Sequence, residues 1–292
     1  MTHRIMYAHN ILKNRKDMHT GYVTVKDTDA PGLAPYRSLK VRHPDKDGIF
    51  IVESKPAVLQ LLKSGLETVS CLTTKKYIDD ADLLPYLQRS RSFPVYIMAK
   101  DKIEDIIGFR FHHGIMMAAR SPAKRSLAET KKYWHTPHTL LALNGIHDPQ
   151  NVGLITRNAA AFGVDTMIVD GGTYEPFYRK VARISMGSVF NVPIAYEPDL
   201  SGPLARLKEE SGTRLIVTSP DPAHPALNKA DLSGNICLVM GNEAYGAGKE
   251  IFRIADLTVS IPIFFDKADS LNVACASAVA LYEIVSRNRH KT

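Results

Sequence analysis

Three short segments in the second half of the chain hold the side chains whose types and spacing could do chemistry. They are residues 151–157 (Asn-Val-Gly-Leu-Ile-Thr-Arg), residues 239–243 (Val-Met-Gly-Asn-Glu) and residues 261–273, which run from Ile-Pro-Ile to Ser-Leu-Asn-Val. Each segment places polar groups or glycines beside an apolar run that is typical of a buried strand. Because ligands of open α/β sheets bind outside the carboxyl ends of the strands, the three segments predict one shared site.

The first segment also has a simple structural interpretation. Residues 148–151 (Asp-Pro-Gln-Asn) form a turn, and Asn151 is well placed to cap the helix that follows. Arg157 then projects a cation from the second turn of that helix. On spacing alone, a capped helix with one surface arginine is the favoured interpretation.

The second segment continues through residues 241–249 (Gly-Asn-Glu-Ala-Tyr-Gly-Ala-Gly-Lys), which superficially suggest a phosphate-binding loop. In a Walker loop, lysine directly follows the second glycine and is itself followed by serine or threonine. Here alanine follows the second glycine, and glutamate follows the lysine. The carboxylate of Glu243 would also repel a triphosphate. We therefore expect these glycines to let the backbone approach a different ligand closely.

The third segment combines apolar groups with a polar helix start. Ile261 and Ile263 flank a proline, residues 266–269 form a polar loop, and Ser270 and Asn272 open a helix rich in small residues. Serine before an apolar helical run is typical of an N-cap, so capping explains Ser270 without any chemistry. Capping and a catalytic role are compatible at this position.

In this order and at these separations, the three segments resemble the motifs of the SpoU/TrmH family of RNA ribose 2′-O-methyltransferases, within the SPOUT superfamily. The resemblance implies an α/β domain with a mostly parallel sheet and a deep trefoil knot. It implies S-adenosyl-L-methionine as cofactor, RNA as partner and a homodimer formed through the C-terminal domain. It implies no metal, because the sulfonium methyl group is already activated.

The resemblance also assigns roles to individual residues. The catalytic positions that it implies are Arg157, Asn151, Glu243, Ser270 and Asn272, and the cofactor-binding positions are Gly241, Ile261, Ile263, Leu271 and Asn272. The family's arginine is a candidate both for binding phosphate and for removing the hydroxyl proton. Since a guanidinium has no acceptor until it loses a proton, phosphate binding is the role that we favour for Arg157.

Patterns of strands and helices divide the chain into an N-terminal extension (1–35), a small α/β domain (36–120), a linker (121–138) and a methyltransferase domain (139–292). In the last domain, short apolar runs alternate with helical stretches. The runs predicted as buried strands are residues 140–143, 166–169, 214–218, 236–240 and 257–261. Continuous apolar strands separated by helices favour a mostly parallel sheet that is covered on both faces.

The first half of the chain is basic. Residues 1–138 hold 23 lysines and arginines against 14 aspartates and glutamates, whereas residues 139–292 hold 14 against 16. Phosphate contacts supply most of the non-specific affinity for nucleic acids, so a polyanionic partner is one explanation, and a solubilising surface is the other.

Part of this half resembles the RNA substrate-binding domain often fused ahead of SpoU-type catalytic domains, a domain similar to ribosomal and kink-turn RNA-binding proteins. The resemblance rests on Arg42, on the strand at residues 49–53 and on residues 112–115 (His-His-Gly-Ile). The family strand commonly ends in Glu-Gly, whereas here Glu53 is followed by Ser54.

Composition narrows the class of protein. A chain of 292 residues, of which 45% are hydrophobic and 23% charged, has room for two globular domains. No apolar run reaches the length that a bilayer requires, and the polar start does not match a signal peptide. Cys71, Cys237 and Cys275 lie far apart, which favours reduced core thiols in a cytoplasmic protein over a disulfide framework or a zinc site.

The sequence therefore predicts methyl transfer from S-adenosylmethionine to a ribose 2′-hydroxyl of structured RNA. Ribosomal RNA is the expected substrate, because the first domain resembles ribosome-associated RNA binders. A transfer-RNA ribose methyltransferase and a non-catalytic RNA-binding factor that keeps the fold are the alternatives. A nucleotide or dinucleotide enzyme of the doubly wound class is disfavoured, since no Gly-x-Gly-x-x-Gly follows a predicted strand.

Overall fold

The computed structural model describes residues 21–37, 39, 48–89, 93–242 and 244–289. Within these residues the chain forms two compact units. The first unit holds the described residues up to Pro122 together with Phe177–Arg179, and the second holds Ala123–Pro176 and the residues from Lys180 onward. Each unit is built on its own sheet.

The first unit is a five-stranded mixed sheet with short helices. Its strands are β1 (Tyr22–Thr24), β2 (Ile49–Glu53), β3 (Thr68–Thr73), β4 (Val95–Ile97) and β5 (Ile115–Arg120), and its helices are α1 (Lys55–Ser64), α2 (Leu84–Arg89) and α3 (Lys100–Ile107). The strand order is β1-β4-β3-β5-β2. The neighbours of β5 pair antiparallel with it, and the other pairs are parallel. In α3, Ile103, Ile106 and Ile107 are buried, as the helical period of its apolar residues requires.

Residues 21–35, predicted to belong to an extension, are part of this unit instead. Strand β1 pairs with β4, and a 3₁₀ helix at Pro31–Tyr36 places Leu33 and Tyr36 in the core with no exposed surface. The Tyr36 hydroxyl donates to the Ser70 carbonyl oxygen at 2.9 Å, and burial raises the pKa of Tyr36 well above its ordinary value. Because the stretch is rich in turn-forming residues, its sequence gave no sign that Leu33 and Tyr36 are part of the core.

The strand β2 ends in an unusual backbone conformation. Ser54 has φ 85° and ψ 144°, a region that side chains other than glycine rarely occupy. The preceding Glu53 is 1% exposed, and one of its carboxylate oxygens accepts a hydrogen bond from Arg179 at 2.8 Å. The conformation at Ser54 explains physically why glycine suits the position after this glutamate.

We expect Ser54→Gly to raise the free energy of unfolding by about 1 kcal/mol, because glycine adopts this φ without steric cost. Urea denaturation followed by circular dichroism measures the change. Ser54→Ala is the matched control, since it removes the hydroxyl and keeps the Cβ atom. A gain in the alanine variant equal to that in the glycine variant would mean that the backbone at residue 54 is not strained.

The second unit is a six-stranded sheet in which every described strand pair is parallel. Its strands are β6 (Thr139–Asn144), β7 (Thr166–Val169), β8 (Ile194–Tyr196), β9 (Arg214–Thr218), β10 (Ile236–Gly241) and β11 (Leu257–Val259), in the order β11-β9-β10-β6-β7-β8. Its helices are α4 (Leu127–Thr130), α5 (Pro149–Ala161), α6 (Arg179–Ile184, which begins on the last residue of the first unit), α7 (Ser201–Ser211), α8 (Lys249–Ile254) and α9 (Val273–Arg289). The predicted α/β class with a mostly parallel sheet is confirmed.

Most of the predicted linker belongs to the second unit. Residues 123–138 belong to the second unit. Ser126 and Glu129 form a capping box at the start of α4, and Leu127 is buried in the core. The indole nitrogen of Trp134 donates to Thr166 Oγ1 at 2.9 Å. A linker would not bury these groups, so residues 123–138 are the first segment of the second unit.

Helix α5 packs closely on α6 because of a glycine. A Cβ atom at Gly153 would lie 2.7 Å from Ile184 Cγ2 and 3.3 Å from the Val181 carbonyl oxygen. Real Cβ atoms are not found at the first of these distances, so Gly153 sets how near the two helices can come. The glycine of the first motif therefore has a packing role that positions the rest of that motif.

Candidate functional site

The carboxyl ends of β6 and β10 lie side by side at the centre of the parallel sheet. Their last residues, Asn144 and Gly241, are register partners. Asn144 Nδ2 donates to Asp170 Oδ2 at 2.8 Å, and Asn144 Oδ1 accepts from the Gly248 backbone nitrogen at 2.8 Å. One asparagine side chain thus connects the loop after β7 with the loop after β10.

The loop after β10 is closed by its own hydrogen bonds. The backbones of Asn242 and Gly246 exchange two bonds, at 3.0 and 2.8 Å. Asn242 Oδ1 accepts from the backbone nitrogens of Ala244 and Tyr245, and Asn242 Nδ2 donates to the Gly145 carbonyl oxygen at 2.8 Å. These bonds join Asn242 to Gly246 and connect Asn242 to the residue that follows β6.

Gly241 is required by this loop. A Cβ atom there would lie 2.1 Å from the Ala247 backbone nitrogen and 2.3 Å from the Gly246 carbonyl carbon. Both are backbone atoms, which no side-chain rotation can move away. The glycine therefore lets the returning loop lie directly against the end of the strand.

A cleft of about 260 Å³ opens at this edge of the sheet. Its walls come from the ends of β9 and β10, the loop after β10, the segment after β11 and the first turn of α9. The lining residues are Thr218, Ser219, Pro220, Met240, Gly241, Asn242, Gly246, Ile261, Ile263, Phe265, Ser270, Leu271, Asn272, Val273 and Ala276. A mostly apolar cleft with a few polar groups is typical of a small-molecule site.

All five residues predicted to bind the cofactor lie on this cleft. They are Gly241, Ile261, Ile263, Leu271 and Asn272, and Ser270 lies beside them. Residues of the second and third motifs, which are separated by residues 244–260, thus line the same cleft. Their role in binding remains a prediction.

The first motif meets the third through two asparagines. Asn272 Nδ2 donates to Asn151 Oδ1 at 3.0 Å, across 121 residues of sequence. Asn272 Oδ1 accepts from the backbone nitrogen of Ala274 at 2.9 Å, so Asn272 caps α9. The expected cap, Ser270, lies three residues before the first residue of α9 and is exposed.

The cap of α5 also differs from the prediction. Asp148, not Asn151, occupies the cap position, and its side chain accepts from the Gln150 backbone nitrogen. Pro149 fills the first helical position, which suits its fixed φ and missing N–H. Asn151 is therefore inside the first turn, buried, with its side chain available to Asn272.

Arg157 lies in the third turn of α5 and is exposed. The next residue, Asn158, fixes this part of the helix, because its Nδ2 donates to the Ala274 carbonyl oxygen at 2.8 Å and to Ser277 Oγ at 3.0 Å. The helix that carries Arg157 is thus hydrogen-bonded to the helix that begins at Asn272. Glu243, the remaining predicted catalytic residue, lies outside the described residues.

Three asparagines that organise this site were not predicted. Asn144 is the last residue of β6 and Asn242 directly follows β10, so a polar residue at the end of an apolar run was an available signal. Asn158 sits next to the predicted arginine, but nothing local marks it, since its partners are more than a hundred residues away.

The cysteines divide into two groups. Cys71 and Cys237 are buried, and burial raises the pKa of Cys237 to about 12 and that of Cys71 further, which keeps both protonated. Cys275 is exposed on α9, so the prediction of a core thiol is wrong there.

Among the described residues, no cluster of three metal-ligating side chains occurs. No helix of the described chain has the length and apolarity to cross a bilayer.

A parallel α/β sheet with a mostly apolar cleft at the carboxyl ends of its strands is typical of α/β proteins that bind a nucleotide or a cofactor. Residues 138–282 match the model of the SpoU rRNA methylase family. An uncharacterised tRNA/rRNA methyltransferase of Mycobacterium bovis is 33% identical over 274 residues, which cover 91% of this chain and 92% of that protein. The chain belongs to the SpoU methylase family, as the three motifs predicted.

Two further similar proteins also match over most of this chain and most of their own length. The 23S rRNA (guanosine-2′-O-)-methyltransferase RlmB of Acinetobacter baylyi is 31% identical over 81% of this chain and 94% of its own length. The crystal structure of an AdoMet-bound rRNA methyltransferase from Sinorhizobium meliloti superposes with a TM-score of 0.76 at 25% identity, covering 91% of this chain and 98% of that one. The predicted enzyme class, an S-adenosylmethionine-dependent RNA 2′-O-methyltransferase, is confirmed.

Proposed function

We propose that this chain transfers a methyl group from S-adenosylmethionine to a ribose 2′-hydroxyl of ribosomal RNA. The observation that carries the proposal is the meeting of the three motifs at one place. Gly241 and Leu271 line the cleft, and the hydrogen bond between Asn151 and Asn272 joins the first motif to it.

The cleft suits S-adenosylmethionine. Its apolar lining matches an adenine ring and a methionine chain, and polar groups from Ser219 and Ser270 offer partners for the ribose and the charged ends. Gly241 lets the backbone of the loop after β10 reach the ligand. When bound, the cofactor supplies a methyl group that is already activated on a positive sulfur.

Arg157 is proposed to hold the phosphate next to the target ribose. A guanidinium binds phosphate with two parallel N–H donors, which fixes the nucleotide in position as well as in orientation. Arg157 is exposed, so an RNA backbone can reach it. Holding the sugar in line with the methyl group is mainly a matter of orientation, and orientation alone can lower the barrier by several kcal/mol.

Asn151, Ser270 and Asn272 are proposed to position the arginine and the sugar. Both ends of the Asn272 amide are hydrogen-bonded. Its Nδ2 donates to Asn151 Oδ1, and its Oδ1 accepts from the Ala274 backbone nitrogen at the start of α9. This keeps the third motif aligned with the helix that carries Arg157. Glu243 is proposed, from the family resemblance, to assist in the same task.

Ribosomal RNA is favoured over transfer RNA by two observations. Several relatives over most of the chain length are named as 23S rRNA methyltransferases. The first half of the chain carries the basic surplus and a domain of its own, which fits RNA docking that is separate from the chemistry. A protein with this substrate would work in the cytoplasm, where ribosomes are present.

Family membership supports two further proposals. The segments after β10 and β11 are proposed to form a trefoil knot around the cofactor, and the second unit is proposed to form a homodimer. The surface of α9 supports the dimer, because Val279 is 40% exposed and Tyr282 60% exposed on a helix rich in small residues. Large apolar side chains exposed along one helix are typical of an interface.

A thermal-shift experiment tests the cofactor assignment. S-adenosylhomocysteine should raise the melting temperature of the protein, because a ligand that binds only the folded state stabilises it. ATP and NAD serve as controls and should have no effect. Stabilisation by NAD alone would instead support a dinucleotide enzyme, and no response to any of the three would support a non-catalytic RNA-binding factor.

The RNA assignment is tested in cells. Sequencing-based mapping of ribose methylation, in a strain with and without the gene, should show one or more 2′-O-methyl groups lost from ribosomal RNA in the deletion strain. Loss confined to transfer RNA would overturn the choice of substrate and leave the reaction intact.

A further inference from the structure

Two large aromatic side chains stand exposed at the rim of the cleft. Tyr245 is 90% exposed and Phe264 is 77% exposed. Their chain neighbours Gly246, Ile263 and Phe265 line the cleft itself. A single exposed aromatic residue is ordinary, but two such rings beside one ligand cleft are typical of a surface that binds a partner.

The backbone next to the exposed Tyr245 ring is hydrogen-bonded. Its nitrogen donates to Asn242 Oδ1 at 3.2 Å, and the paired backbones of Asn242 and Gly246 close the loop on both sides of it. Asn242 is in turn bonded to Gly145 on the neighbouring strand end. The backbone next to the ring therefore already has hydrogen-bond partners, which lowers the entropy cost of binding something against the ring.

Phe264 is presented in a similar way. Its carbonyl oxygen accepts from the backbone nitrogens of Lys267 and Ala268, at 2.9 and 3.1 Å, which makes a turn after the ring. The ammonium of Lys267 lies 5.5 Å from the ring centroid. Asp266 and Asp269 flank this lysine in the sequence, so the loop as a whole is not basic. Attraction for phosphate alone would not bring RNA to this surface.

We propose that Tyr245 and Phe264 are stacking platforms for unpaired bases on either side of the methylated ribose. This inference rests on the proposed function, since it takes RNA as the substrate. Proteins that bind single-stranded RNA stack bases on exposed aromatic rings, and the face of a ring accepts any base. The two rings would thus select an unstacked, single-stranded target at the mouth of the cleft without reading its sequence.

The test is RNA binding measured apart from activity. The probe is a short unpaired RNA that contains 2-aminopurine, whose fluorescence reports stacking, and binding is measured with S-adenosylhomocysteine present. We expect Tyr245→Ala and Phe264→Ala each to weaken binding about 5- to 100-fold. We expect Tyr245→Phe and Phe264→Tyr to bind as the unchanged protein does, and Tyr245→Leu to bind as weakly as the alanine variant.

Each other result has a distinct meaning. Alanine variants that bind the unpaired RNA normally would overturn the stacking role, as would a leucine variant that binds normally. Loss of S-adenosylhomocysteine binding in the alanine variants, seen by calorimetry, would also overturn it and place the rings in the cofactor site. If the unchanged protein binds neither the cofactor product nor RNA, the proposed function itself fails.

Discussion

Arg157→Ala should lower the rate of methyl transfer by about 100- to 1000-fold, the range seen when one charge-stabilising donor is removed from an active site. The expected cause is loss of the clamp on the phosphate next to the target ribose. Cofactor affinity should stay close to that of the unchanged protein, because Arg157 does not line the cleft. Single-turnover methylation of ribosomal RNA and calorimetry with S-adenosylhomocysteine measure the two quantities separately.

Two control variants sharpen this experiment. Arg157→Lys keeps the charge but loses the planar pair of donors, so it should recover only part of the rate. Arg253→Ala removes another exposed arginine of the second unit, whose ion pair with Glu250 lies at the surface, and should change neither quantity. If Arg157→Ala also loses cofactor binding, Arg157 has a structural role in the cofactor site and the proposed phosphate-binding role is wrong.

Gly241→Ala should weaken binding of S-adenosylhomocysteine at least about tenfold, and the overpacked loop should lower the free energy of unfolding by about 1–3 kcal/mol. The new methyl group would lie 2.1 Å from the Ala247 backbone nitrogen, so the loop has to move. That movement displaces Gly246, which forms part of the cleft wall. Calorimetry gives the affinity, and chemical denaturation gives the stability.

Gly248→Ala is the matched control for this prediction. It lies in the same loop, and its Cβ atom would be 3.5 Å from Asn144 Oδ1, an ordinary contact distance. Cofactor binding should therefore be nearly unchanged. Equal losses in the two variants would show that any substitution in this loop disturbs the cleft, and normal binding in Gly241→Ala would show that the loop does not hold the cofactor.

Most of the sheet could be predicted from the sequence, because buried parallel strands are continuous apolar runs. The two strands that were missed, β1 and β8, have three residues each. Length alone is not the cause, because β11 is equally short and was predicted. None of the three residues of β1 is buried, and the middle residue of β8 is alanine, a residue that is depleted in strands. Their extended conformation depends on the neighbouring strands, β4 and β7, with which they pair.

The helix caps show why local signals were ambiguous. Asp148 and Asn151 are both good capping residues within one turn, and so are Ser270 and Asn272 within another. In the first case the proline at position 149 decides, since it fits the first helical position. In the second case Asn272 is chosen because it also meets Asn151, a partner that no local pattern could reveal.

The central pairing of the parallel sheet has a consequence for how this protein is made. Strand β6 pairs with β10, so the central strand pair of the sheet cannot form until residues 236–241 have been synthesised. Contacts between such distant parts of a chain form slowly. During synthesis on the ribosome, the second unit therefore cannot complete its core until β10 has emerged, and a chain interrupted before that strand would expose apolar edges to chaperones and proteases.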